Sequence, residues 1–198
     1  MNRIITISRE FGSGGRTVGL KTAEKLGIPC YDSTLIDKVA ETSGFCEEYI
    51  REHGEYAASG GWFAHALAAR DQYGHTNQDT LFIAQSHVIE DLAKNGPCVI
   101  VGRCADYILR DKADLLTVFI HADMESRSKY IVEHFGESAD SPEKRLRDKD
   151  KRRAAYYQIY TDMKWGDCRN YHLSLDAGKL GIDRCVDILA EAYKAMSE

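Results

Sequence analysis

The sequence predicts an α/β fold, a five-stranded parallel sheet sandwiched by helices. Three observations lead there. Short β-branched runs alternate with segments of helical period along most of the 198 residues. Strands separated by helices assemble as parallel sheets covered on both faces. Glycine and polar residues cluster just after several of the strand-like runs, at the edge where such sheets gather ligands.

Ile4-Ile5-Thr6-Ile7 reads as a buried first strand ending in polar and glycine residues. A helix follows from Thr17 to Leu26, carrying Val18, Leu20 and Ala23, with Gly27 placed as its C-cap. Ile28-Pro29-Cys30-Tyr31 is a second short strand, and Asp32-Ser33 can cap a helix through Leu35 and Val39. Residues 44–77 are less regular and read as a helical insertion with loops. From Gln78 to Asn95, Leu81, Ile83, Ala84, Val88, Ile89 and Leu92 keep a helical period, which Gly96-Pro97 breaks.

Cys98-Val99-Ile100-Val101 is the third strand, ending at Gly102-Arg103, and Leu115 to Ile120 is the fourth. A helix spans about Met124 to His134. Ser141-Pro142-Glu143 is a helix start: a cap residue, a proline in the first turn and an acid at the positive end of the dipole. Tyr171 to Leu175 alternates as a fifth strand, and Ile182, Val186, Leu189 and Tyr193 repeat at helical spacing to close the chain.

Composition narrows the function classes. Hydrophobic residues make up 43%, enough for one core carrying an insertion, so one domain is expected over residues 1–198. The net charge is −5, which argues against nucleic acid as a partner. No run reaches the roughly 18 apolar residues of a membrane span, so no membrane partner is expected. The opening residues lack a secretory pattern, and the six cysteines show no C-x-x-C pair, pointing to reduced thiols in the cytoplasm. The histidines have no metal-ligand spacing. Oligomeric state is not readable.

The chemistry starts at Arg9-Glu10-Phe11-Gly12-Ser13-Gly14-Gly15-Arg16-Thr17. A glycine-rich turn between a strand and a helix suits phosphate, because backbone N–H groups converge without a Cβ in the way and the helix N-terminus adds positive potential. Gly12, Ser13, Gly14 and Gly15 form the cradle, and Thr17 offers a hydroxyl to magnesium. Arg16 supplies the cation that lysine gives in G-x-x-x-x-G-K-[ST]. Laid on that pattern, Glu10 falls on the leading glycine; shifted by one residue, Arg9 does and Gly15 takes the lysine's place. Neither register has a lysine.

The turn and its companions resemble the cytidylate-kinase-like family of P-loop nucleoside monophosphate kinases, in a divergent branch that opens S-R-E-F-G-S-G-G-R. The resemblance runs on through Leu26-Gly27-Ile28-Pro29-Cys30-Tyr31-Asp32, Val101-Gly102-Arg103, the Arg/Asp-rich helix near 145–153 and the close from Tyr171. It implies a P-loop NTPase-type sheet with a monophosphate-binding insertion (about 44–77) and a helical lid (about 138–168). It also implies transfer of the γ-phosphoryl group of ATP, with Mg2+, to CMP or dCMP. Carried over by residue, Arg103 matches an arginine on the monophosphate, Arg127 one beside the ATP base, and Arg147 and Arg152 fall in the lid.

The lid segment stands out by charge as well. Residues 143–153 hold seven cations and three anions, a net of +4 against −5 for the chain. Phosphoryl transfer needs cations around shifting oxygen charge, so Arg16, Arg147 and Arg152 are the catalytic candidates. Arg145, Lys149, Arg152 and Tyr156 share a face by helical spacing. Arg9 joins the nucleotide-binding set. Asp32 and Arg103 sit after strands at the ligand edge as acceptor-binding candidates, while Asp106 is placed to pair with Arg103. Small nucleotides are the expected partners. A P-loop kinase for another small metabolite, and a nucleotide-binding module with weak catalysis, are the alternatives.

Overall fold

A computed structural model of the chain describes residues 1–32, 77–136, 138 and 141–196. Most of the 44–77 insertion and the helix expected after Ser33 lie outside the described residues.

Strand β1 (Arg3–Arg9) is the middle of five parallel strands in the order β2-β3-β1-β4-β5, with β2 at Cys30–Tyr31, β3 at Cys98–Val101, β4 at Asp114–His121 and β5 at Leu173–Asp176. Register places Ile4 beside Cys98 and Leu115, and Ile5 beside Val99 and Leu116. Successive side chains alternate between faces. Ile4, Cys98, Ile100 and Leu115 therefore join one apolar cluster, and Ile5, Ile7, Val99, Val101 and Val118 join the other. Two-sided burial is why these strands read as continuous apolar runs.

Helices α1 (Gly15–Leu26) and α7 (Ile182–Ala195) cover the second cluster. The first cluster is covered by α2 (Asn77–Lys94), α3 (Ala105–Ile108) and α5 (Pro142–Thr161). Helix α4 (Met124–Phe135) packs against α5, and α6 (Ala177–Leu180) follows β5. The expected strands and long helices are present, and Gly27 does close α1 in the left-handed conformation. Helices α3 and α6, four residues each, and the short 3-10 turn Cys168–Asn170 carry too few residues to show a period.

Two details depart from expectation. Ser141 opens α5 with φ 52° and makes no side-chain cap bond, so Pro142 and Glu143 are the start signals in use. The shared face of α5 is also rotated. Its buried stripe is Leu146, Arg153, Tyr156 and Tyr157, whereas Arg152 is exposed.

Candidate active site

The C-terminal ends of β1, β2 and β3 bring two half-sites together. The first is the glycine turn. Gly12 and Gly14 both have φ 77°, a conformation that glycine adopts without penalty. A Cβ on Gly12 would lie 2.8 Å from Ile131 Cγ2 and 3.0 Å from the Arg127 carbonyl, and one on Gly15 would lie 2.5 Å from Arg9 Cβ. Gly14 caps α1 without a side-chain bond, which leaves the first N–H groups of the helix for an anion. The cradle therefore fits a phosphate. Ser13 is 4% exposed, and its hydroxyl donates within the turn, shared between the carbonyls of Glu10 (2.9 Å) and Ile120 (3.1 Å).

Beneath the turn lies a charge cluster. Arg127, only 4% exposed, donates from Nε to the Phe11 carbonyl at 2.8 Å, meets Glu10 Oε2 at 3.2 Å and pairs with Asp150. Asp150 in turn accepts the Phe11 N–H at 2.8 Å, and Glu10 accepts the Ala122 N–H at 3.2 Å. Arg127, which the resemblance sets beside the nucleotide base, commits its donors to holding the turn. Glu10, the residue that breaks the glycine pattern, is one of its anchors. In the sequence Glu10 shows only as an acid inside a glycine turn, and Asp150 only as one anion of a charge run.

The two candidates at the head of α1 each have a partner. Arg16 Nε donates to Asp32 Oδ2 at 2.5 Å, so these predicted site residues meet. Thr17 Oγ1 lies 2.8 Å from the Tyr130 hydroxyl, and Tyr130 stacks on His134 with ring centroids 4.1 Å apart. Tyr130 carried no sequence signal, since only the fold brings α4 over α1.

The second half-site follows β3. Gly102, Arg103 and Cys104 have φ of 84°, 59° and 55°, three left-handed residues in succession. Two of them bear side chains, and such strain persists where the surroundings enforce it, commonly at functional sites. Arg103 Nη1 is buried with no hydrogen-bond partner. Arg9, expected with the nucleotide, extends its guanidinium across Gly102, where a Cβ would come within 2.2 Å of Nη1. Arg153, 8% exposed, donates from Nη1 to the Arg9 carbonyl at 2.9 Å, and its guanidinium lies 5.5 Å from the Phe11 ring centroid. Arg9, Arg103, Arg153, Tyr156 and Trp165 line a common narrow cleft with a volume of about 20 Å³. Arg147 and Arg152 are exposed on α5 and are not among its lining residues. A charge run does not reveal which of its members is buried, so Arg153 carries no separate signal in the sequence.

Behind the cleft, Asp106 accepts from the Tyr157 hydroxyl at 2.6 Å rather than pairing with Arg103. Burial raises the Asp106 carboxyl above its ordinary range, with the Tyr157 hydrogen bond opposing. Burial and the nearby Asp106 push Tyr157 well above the usual phenol range, and Tyr171 up to about 12. Burial also lifts the thiols of Cys30 to about 11 and Cys98 to about 12, so both stay protonated at neutral pH. The five cysteines among the described residues form no disulfide.

A glycine turn between the central strand and its helix, with a second cluster of cations after β3 at the same sheet edge, defines an α/β fold of the P-loop type. Residues 4–179 match the Cytidylate kinase-like family, and the chain belongs to that family. Membership makes it a kinase-like phosphotransferase. A cytidylate kinase from Pyrobaculum aerophilum is 26% identical over 187 residues, covering 93% of this chain and 89% of the relative. Among solved structures, an uncharacterized protein from Eubacterium ventriosum aligns with TM-score 0.74 and 28% identity, covering 98% of this chain and 99% of that one. A shikimate kinase from Bacteroides thetaiotaomicron shares the fold at TM-score 0.54 and 18% identity, covering 98% of each chain.

Proposed function

We propose that the chain transfers the γ-phosphoryl group of MgATP to a nucleoside monophosphate, with CMP or dCMP favoured. The observation that carries this reading is the buried, unpartnered Nη1 of Arg103 in a cleft shared with Arg9 and Arg153, beside the phosphate cradle. A buried guanidinium donor without a partner calls for an anion, and a bidentate fork suits a phosphate. The cytidylate kinase relative supports the pyrimidine choice.

In this reading the open N–H groups at the head of α1 and the Arg16 cation receive the triphosphate. Arg103 holds the acceptor phosphate, and Asp32 orients the rest of the acceptor. Among the described residues no group of three or more His, Cys, Asp or Glu could hold a metal ion. The nucleotide would bring magnesium with it, and Thr17 would be the protein ligand; the bound ion neutralises phosphate charge. Arg147 and Arg152, on a helix whose inner face rests on the turn, would stabilise the transferring group as the lid closes. Arg127 acts through the turn it holds, and Arg9, whose guanidinium reaches Gly102, serves the acceptor.

The test is a panel assay of purified protein with MgATP and CMP, dCMP, UMP, AMP, GMP, shikimate or gluconate, read by product formation. CMP or dCMP should be the best acceptor. Turnover confined to a non-nucleotide acceptor would replace the substrate class, and ATP binding without transfer to any acceptor would sink the kinase reading. That last outcome is the weak-catalysis alternative, which the absent lysine favours.

A further inference from the structure

Arg16 belongs to the triphosphate cradle by its place on α1, yet its side chain is turned sideways. It reaches the carboxylate of Asp32, just beyond the edge strand β2, at 2.5 Å. Asp32 stands on the acceptor side, and its side chain is 22% exposed against 53% for Arg16. One pair therefore joins the cation assigned to one substrate with the acid assigned to the other.

We propose that the Arg16–Asp32 ion pair is a latch coupling the two half-sites. This rests on the triphosphate and acceptor sites argued above. A triphosphate carries several negative charges and draws the guanidinium away from a single carboxylate. Once released, Asp32 can accept from hydroxyl or amino donors of the acceptor. Conversely, an acceptor that engages Asp32 releases Arg16 toward the phosphates. Whichever ligand binds first opens the pair, and the second then binds without opening it. Coupling of this kind is positive and reciprocal. Asp32 is thus a positioning residue for Arg16 as well as an acceptor ligand. Partly exposed ion pairs contribute little, so the coupling should be modest, about two- to fivefold.

The bland alternative is a permanent surface pair tying α1 to β2. Direct binding separates the two. Wild-type chain, Asp32→Asn, Arg16→Gln and the double variant are titrated calorimetrically with the magnesium complex of β,γ-imido-ATP, first without any acceptor. Asp32→Asn should bind about two- to fivefold tighter than wild type, because Arg16 is no longer held. In the Arg16→Gln background the same substitution should change affinity little. Saturating CMP should tighten wild-type binding by a similar factor, and Asp32→Asn should lose that response. Thermal melts confirm folding, and Asp32→Ser replaces Asn should the latter fold poorly.

Equal or weaker binding by Asp32→Asn overturns the latch. So does a tightening that persists without Arg16, which would be only a field effect of removing a charge. No binding of the analogue to wild type would instead remove the triphosphate reading itself, which is a different result.

Discussion

Arg127 illustrates how much one buried side chain decides at this site. It holds Glu10, the Phe11 carbonyl and Asp150 at once while only 4% exposed. Replacing it by alanine leaves two carboxylates facing each other without their cation, and breaking a buried pair costs about 3–5 kcal/mol. Because Glu10 and Asp150 are partly exposed, the lower end applies. Arg127→Ala should lower Tm by roughly 6–12 °C in a thermal melt and weaken triphosphate binding with it. Asp106 gives a pH-dependent prediction. Its folded-state carboxyl titrates above the ordinary value of 3.8, so the folded chain binds its proton more tightly than the unfolded chain. Stability from this group is therefore present at low pH and lost as pH rises through the folded-state titration, then flat. Asp106→Asn does not titrate and still offers an oxygen to Tyr157. In urea unfolding at a series of pH values, wild type should lose ground to Asp106→Asn above pH 3.8 and reach a plateau. A wild type that gains ground there would refute the assignment.

At the scale of elements, helix α5 works with two faces. Leu146, Arg153, Tyr156 and Tyr157 form the inner one, with Leu146 fully buried and close to Gly12. Leu189 on α7 is equally buried but packs on the other side of the sheet. Leu146→Ala and Leu189→Ala should each cost about 2–5 kcal/mol, measured by denaturant unfolding. Only Leu146→Ala should also weaken triphosphate binding beyond what its lost stability accounts for. The outer face behaves differently. Arg152 is exposed, so Arg152→Ala should leave Tm nearly unchanged while lowering kcat more than it alters KM, as for a contact that forms in the transition state. A fall in Tm with unchanged kcat would make Arg152 a structural residue.

Across the whole molecule, stability should be greatest where both sheet faces are covered. The interiors of β1, β3 and β4 are continuously buried, whereas β2 and β5 are only half-buried edge strands. Amide hydrogen exchange should accordingly be slowest at residues 4–7, 98–101 and 115–120 and faster in β5; equal protection in β5 would contradict this. At this scale no helix among the described residues is long and apolar enough to cross a membrane.

By itself the sequence determined the strands, the long helices, the glycine turn and the family. Each is written in local terms: β-branched runs, helical period, Gly27 after α1, and three glycines between Ile7 and Thr17. Tertiary structure alone decided where each arginine points. Arg9 crosses to Gly102, Arg16 turns to Asp32, Arg127 goes beneath the turn, and Arg153 rather than Arg152 is buried. The bonds that settle most of this join residues far apart in the chain: 116 positions for Arg127 and Phe11, 139 for Asp150 and Phe11, and 144 for Arg153 and Arg9. A long flexible cation takes the direction set by whichever carboxylate or carbonyl folding brings within reach. Local pattern therefore shows that cations gather at this edge of the sheet, while only the packed chain decides where each one points.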